Sequence, residues 1–216
     1  MTELTFEPMR RSMVASQLRT TGVNDPRVVA AMGEVARELF VPAGRRALAY
    51  ADALVPLGNG RALNPPMALG RVLTEAQLQG HERALVIGAA TGYSAALLAR
   101  LVGSVTALEE DAALAATARE TLAGTGAAVV EGPLAAGWPA AAPYDFILVD
   151  GAVEFLPPAI VDQAADGGRI ALALLDRGVT RLAIGRVVAG AFGLATFADA
   201  AAAILPGFEQ PRGFTF

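Results

Sequence analysis

The chain has 216 residues, of which 54% are apolar and 18% charged, with a net charge of −4, one histidine and no cysteine. That length suits one large α/β domain, the acidic balance argues against a nucleic-acid-binding face, and the missing thiols exclude disulfides and thiolate metal sites. All 17 residues counted as lysine or arginine are arginine, which also excludes Schiff-base chemistry and the phosphate-gripping lysine of a P-loop.

The opening MTELTFEPMRRSM has no apolar run of the kind a secretory signal needs, so a cytoplasmic location is expected. Arg10-Arg11 and Arg45-Arg46 read as solvated surface pairs. Residues 8 to 50 are expected to be helical. Met9, Met13, Val14 and Leu18 fall on helical spacing, and Asp25-Pro26 is a capped helix start. Phe40-Val41-Pro42 ends that stretch. Residues 51 to 67, with Pro56, Gly58, Gly60, Pro65 and Pro66, read as a loop and a candidate binding wall. His81 lies in a polar turn, and no G-x-S-x-G elbow accompanies it.

From residue 83 the pattern alternates. Arg83 to Ile87 is a short apolar run, as in a buried parallel strand, and Ser94 to Val102 is a helix. Further strands are expected at Val105–Leu108, Ala127–Val130, Asp145–Asp150 and Gly168–Ala173, with a helix at Ala112–Ala123. Two or three more strands are expected between Thr180 and Ile204. The apolar stretch Val187 to Leu205 is broken by Gly190, Gly193 and Asp199, so it reads as strand plus turn and not as a membrane span. The alternation implies a mostly parallel sheet covered by helices, with a helical N-terminal extension.

Ligands of open α/β sheets sit beyond the C-terminal ends of the strands. Three features fall there: the turn Gly88-Ala89-Ala90-Thr91-Gly92-Tyr93, Glu109, and Asp150-Gly151. A carboxylate at Glu109 can accept two hydrogen bonds from a ribose diol. A dinucleotide fingerprint laid from Gly88 puts Tyr93 at its third glycine, where it does not fit. The pattern G-x-(G/A)-x-G, read as Gly88, Ala90 and Gly92, fits better and is the arrangement of methyltransferases that use S-adenosylmethionine.

Over nearly its whole length the sequence resembles the protein-L-isoaspartate O-methyltransferase family. The resemblance rests on Gly22-Val23-Asn24-Asp25-Pro26-Arg27-Val28, on Val35-Ala36-Arg37-Glu38-Leu39-Phe40-Val41-Pro42, and on Ala49-Tyr50-Ala51-Asp52. Residues Pro56 to Met67 resemble the family's P-(I/L)-G-x-G-Q-T-I-S-Q-P-Y, with Met67 at the tyrosine position. Val86 to Tyr93 match E-I-G-T-G-S-G-Y, Tyr144 to Ala152 match a (Y/F)-D-x-I-x-V-x-x-A pattern, and Gly167-Gly168-Arg169 matches G-G-R.

The resemblance implies a class I S-adenosylmethionine-dependent methyltransferase (Rossmann-like) fold in one domain, 1–216. Residues 1–67 would form the helical and substrate-loop part, and 68–216 the cofactor-binding α/β part. It implies methyl transfer to the side-chain carboxylate of isoaspartyl residues in damaged proteins or peptides, with S-adenosylhomocysteine as product and neither metal, nucleic acid nor membrane involved. Gly88, Ala89, Ala90, Thr91, Gly92, Tyr93, Glu109, Gly132 and Asp150 would bind the cofactor; Leu57, Gly58, Arg61 and Leu63 would meet the substrate; Asn64 would face the reacting carboxylate.

Departures from the family pattern gather at the site. Asn64 stands where the family has a serine, Arg61 where it has glutamine, and Ala62 where it has threonine. Val86 replaces a glutamate, Ala89-Ala90 replace Thr-Gly, and Glu131-Gly132-Pro133 lies near the family's G-D-G. The Asn64 amide can donate to a carboxylate as a hydroxyl would, or merely support a turn. Arg61 can grip a substrate carboxylate or lie solvated in the loop. The pattern therefore leaves two alternatives: an atypical repair methyltransferase, or a paralogue with another substrate or no catalysis.

Overall fold

The computed structural model describes residues 5–210. Helix α1 (Phe6–Ser12) runs on into wider turns at Met13–Leu18, whose Met13 and Leu18 are fully buried. Asp25 caps α2 (Pro26–Glu34) by accepting from the Arg27 N–H at 2.8 Å, and the proline fits the first turn, where no N–H is needed. Tight turns at Arg37–Phe40 and Ala43–Leu48 then lead to the segment expected to be a loop.

That segment holds more order than expected. Strands β1 (Val55–Gly58) and β2 (Arg61–Leu63) form an antiparallel hairpin with Val55 opposite Leu63, both buried. Pro65-Pro66 is not loop punctuation: Pro66 opens helix α3 (Pro66–Glu75). Its small, branched face of Ala68, Leu69, Val72 and Leu73 is buried.

The α/β unit follows as β3 (Arg83–Ile87), α4 (Tyr93–Leu98), β4 (Ser104–Glu109), α5 (Ala112–Thr121), β5 (Ala128–Glu131), β6 (Tyr144–Val153), α6 (Pro158–Val161), β7 (Ala164–Asp176), β8 (Val179–Val188) and β9 (Ala191–Asp199). The strand order is β5-β4-β3-β6-β7-β8-β9. The first five strands run parallel, while β8 and β9 are antiparallel and form one edge. Side chains alternate across the sheet. Ala84 and Val86 join the core shared with the N-terminal helices, and Leu85 and Ile87 join a second core with Ile147, Ile160, Leu172 and Phe208. Among the described residues no helix is long and apolar enough to cross a membrane.

After β9 the chain turns back over the sheet as a strap. Ala152 N–H donates to the Ala203 carbonyl at 2.7 Å, and Leu205 N–H donates to the Ala152 carbonyl at 3.0 Å. Ile204 pairs with Ala152 in a single parallel bridge. The order of the strands reverses between β3 and β6, and the crevice at that reversal is where such folds place ligands. The strap lies directly on it.

Candidate active site

The turn after β3 is fixed from beneath. Gly88 and Ala89 N–H both donate to the Leu108 carbonyl at 3.0 Å. Gly88 and Gly92 take φ of +80° and +96°, values that glycine adopts without steric cost. Ala90 sits at φ +50°, which is strained for a residue with a β-carbon, and its N–H donates to Glu109 Oε2 at 2.7 Å. Thr91 Oγ1 donates to the Phe40 carbonyl at 2.6 Å, so the N-terminal part anchors the turn. Tyr93 is buried edge-on to Phe40, with ring centroids 5.4 Å apart.

Glu109 ends β4, fully buried. Its carboxylate accepts from three backbone N–H groups, those of Ala90 at 2.7 Å, Glu110 at 3.0 Å and Asp111 at 3.1 Å. It also takes a two-point bond from Arg61, with Nη1 to Oε1 at 2.5 Å and Nη2 to Oε2 at 3.0 Å. Five donors thus converge on two oxygens, and no lone pair is left for a sugar. This corrects two expectations. Glu109 does not point at open space, and Arg61 neither faces a substrate nor lies in solvent. The hairpin carries Arg61 inward because its partner position across the strands is Gly58 at the bulge, and Asn59 at the tip is tied to Asp111 at 2.9 Å.

Asn64 has both ends of its amide engaged. Nδ2 donates to the Asp150 carbonyl at 2.9 Å and to Asp150 Oδ1 at 2.8 Å, and Oδ1 accepts from the Ala203 N–H at 2.7 Å. The amide therefore ties β6 to the strap, a role neither sequence alternative foresaw. Part of the Asp150 surface stays accessible, yet burial pushes its carboxyl above the usual carboxylate range, against the opposing pulls of the Ser94 hydroxyl and then the Asn64 amide. An acid raised on folding holds its proton more tightly folded than unfolded, so it lowers stability as pH climbs from the ordinary value of 3.8 through the raised one. Wild type measured against Asp150→Asn should therefore lose relative stability as pH rises through that window, read by denaturant unfolding of both proteins from about pH 3.5 to 8. A relative stability that grows with pH would contradict this.

The crevice itself is filled. A β-carbon built on Gly88 would lie 2.9 Å from Leu205 Cδ2 and 3.3 Å from Arg61 Nη2; one on Gly151 would lie 2.6 Å from both Leu205 Cγ and the Ala203 carbonyl. Leu205 is buried there between the ends of β3 and β6. The cavity beside Asn64 and Asp150 holds about 20 Å³, room for one water.

The structure thus brings together Gly88 to Tyr93, Glu109, Arg61, Asn64 and Asp150. Leu57 and Gly58 lie on the hairpin, half-buried and exposed, and Leu63 is buried below them. Gly132 sits beside the Trp138 ring, and its neighbour Glu131 pairs with Arg119 at the surface. Sequence reasoning missed two residues. Arg37 is fully buried and donates to the Ala49 and Asn64 carbonyls, both at 2.6 Å, with its guanidinium 4.6 Å from the centre of the Tyr93 ring. Leu205 gave no signal beyond being one apolar residue in an alanine-rich stretch. Arg10, expected to be solvated, is half-buried and donates to the Glu34 carbonyl at 2.8 Å.

A parallel sheet reversing between β3 and β6, with a small-residue turn after β3 and a carboxylate ending β4, is the framework of a class I S-adenosylmethionine-dependent methyltransferase. The family model for protein-L-isoaspartate(D-aspartate) O-methyltransferase matches residues 9–182. A protein-L-isoaspartate O-methyltransferase of Rhodopseudomonas palustris is 41% identical over 181 residues, 82% of this chain and 74% of its own. One from Methylorubrum populi is 43% identical over 165 residues, 76% of this chain and 78% of its own. A solved protein-L-isoaspartate O-methyltransferase superposes with a TM-score of 0.80 at 20% identity, covering 94% of this chain and 66% of that one. A Plasmodium falciparum structure described under the same activity, in complex with S-adenosyl-L-homocysteine, gives 0.75 at 17% identity over 89% and 96% of the two chains. The chain belongs to the protein-L-isoaspartate(D-aspartate) O-methyltransferase family.

Against that family's cofactor the residue types suit and the space does not. The glycines leave room for close backbone approach, but Leu205 and Arg61 stand in the crevice. As folded here, the residues do not fit an adenosyl group.

Proposed function

We propose that the chain transfers a methyl group from S-adenosylmethionine to the side-chain carboxylate of L-isoaspartyl residues in damaged proteins. Membership of the family, with the match running from residue 9 to residue 182, carries this reading. The chemistry suits the chain's residue supply. A substrate carboxylate with a pKa of about 4 is ionised at neutral pH, so no general base is needed from a chain with one exposed histidine. What remains for the protein is to orient the carboxylate and exclude water. Asn64 is the side chain we assign to the substrate carboxylate, a role its amide can take only after it releases Asp150 and the Ala203 N–H that engage it in this structure. The hairpin residues Leu57, Gly58 and Leu63 would form the wall of the peptide site, and Gly88 to Tyr93, Gly132 and Asp150 that of the cofactor.

One observation favours a second reading. Glu109, the carboxylate expected to hold the ribose, is saturated by Arg61 and backbone N–H groups. That arrangement suits a paralogue with a different substrate or without turnover. Incubating the protein with isotope-labelled S-adenosylmethionine and an isoaspartyl peptide separates the two. The first reading expects label in the isoaspartyl peptide and none in its aspartyl twin, with Asn64→Ala lowering turnover at least tenfold. Equal label in both peptides, or none in either, would favour the second.

A further inference from the structure

Three departures from the family pattern and one strap residue converge on one structural consequence. Arg61, where the family has glutamine, pairs with Glu109. Asn64, where it has serine, holds the strap through the Ala203 N–H at 2.7 Å. Ala90, where it has glycine, occupies a left-handed position held by Glu109 itself. Leu205 then fills the crevice between Gly88 and Gly151. Each contact is buried, and together they occupy the space an adenosyl group would need.

We propose that these residues form an internal latch, in which the hairpin's Arg61 and the strap's Leu205 occupy the cofactor crevice and set the affinity for S-adenosyl ligands. This inference rests on the reading that the chain takes such a ligand at all. The latch has two arms on separate elements, and both must leave. Arg61 must release Glu109 so that the carboxylate can accept from a ribose diol. Leu205 must swing from between β3 and β6, which breaks the Ala203 and Leu205 bonds to Ala152 and the Ala203 bond to Asn64. The strap end is suited to move. Its Ala203–Leu205 segment pairs with β6 through a single bridge, not a ladder, and Ile204 is exposed, while Phe208 and Gln210 beyond it stay anchored at Glu154, so the movement is confined to the short stretch before Phe208. When only a fraction of molecules is open, the apparent dissociation constant rises by the inverse of that fraction. A latch closed in more than nine molecules of ten therefore weakens binding more than tenfold.

The test is calorimetric titration of S-adenosylhomocysteine into wild type, Arg61→Gln, Leu205→Ala and the neighbouring control Ile204→Ala, each checked for folding by circular dichroism. Arg61→Gln removes the first arm and Leu205→Ala the second. If Arg61→Gln does not fold, Leu205→Ala carries the test alone. The expected result is weak binding by wild type and Ile204→Ala, and at least tenfold tighter binding by Leu205→Ala and by folded Arg61→Gln. Tight and equal binding by all four would overturn the latch while leaving the cofactor reading standing. Absence of binding by every folded protein would overturn the latch together with that reading.

Discussion

Arg61→Met is expected to destabilise the fold by about 3–5 kcal/mol, the usual consequence of removing one partner of a buried ion pair. Both side chains of the pair are nearly inaccessible, at 5% and 0% exposure, so solvent screening does not soften the effect. Glu109 would keep three backbone N–H donors but lose the one countercharge bonded to it among the described residues. For a chain of this size such a loss lowers the unfolding temperature by on the order of 10 °C. Denaturant unfolding of wild type and variant measures it directly. Replacing Glu109 as well should not restore stability, because the N–H groups of Ala90, Glu110 and Asp111 would then lack their acceptor. A loss below about 1 kcal/mol, the range of exposed pairs such as Arg119–Glu131, would mean that water reaches the pair.

Arg37→Met is the second large effect, at about 2–5 kcal/mol. The guanidinium is wholly buried, and desolvation lowers its pKa, so its charge is itself unfavourable there. Its contribution comes from what it satisfies. It donates to the Ala49 and Asn64 carbonyls at 2.6 Å each, and an unsatisfied buried carbonyl costs about 1–3 kcal/mol. Its position over the Tyr93 ring adds a cation–π contact. Because one of those carbonyls belongs to Asn64, the variant should also loosen the amide that holds the strap. Unfolding free energy reads the first consequence, and hydrogen exchange of the Ala203 N–H reads the second. A larger acceleration of exchange at Ala203 than at Ala171, in the middle of β7, is expected; unchanged exchange would separate Arg37 from the latch.

The parts of the fold visible in the sequence were those governed by local pattern. The apolar runs at β3, β4 and β6 are buried on both faces, so their composition alone declares them. The start of α2 was readable because Asp25-Pro26 is a cap and then a residue that suits a first turn. Helix α3 was not, because Pro65-Pro66 carries two meanings: loop punctuation, or the first turn of a helix. The run Met67 to Glu75 decides between them, since its buried Ala68, Leu69, Val72 and Leu73 keep helical spacing. The edge formed by β8 and β9 is legible as strands, though its direction is not.

The candidate site divides in the same way. The strand-end positions of Gly88 to Tyr93, Glu109 and Asp150 are legible because the apolar runs before them and the small residues mark them. Which partner each would meet is a matter of long-range geometry. Arg61 and Glu109 are 48 positions apart, and Asn64 and Ala203 are 139 apart. No periodicity encodes such pairings. The departures at Arg61 and Asn64 were visible against the family pattern, but their consequence, a closed crevice, needed the fold. Leu205 is the extreme case, since nothing distinguishes it from the other apolar residues of its stretch until the strap is seen crossing the sheet.

The most direct measurement is a crystal structure of the Leu205→Ala protein grown with S-adenosylhomocysteine. It should show the adenosyl group beside Gly88 and Gly151, with Arg61 turned away from Glu109. An Arg61–Glu109 pair left intact with the nucleoside absent from that crevice would contradict the assignment of the site.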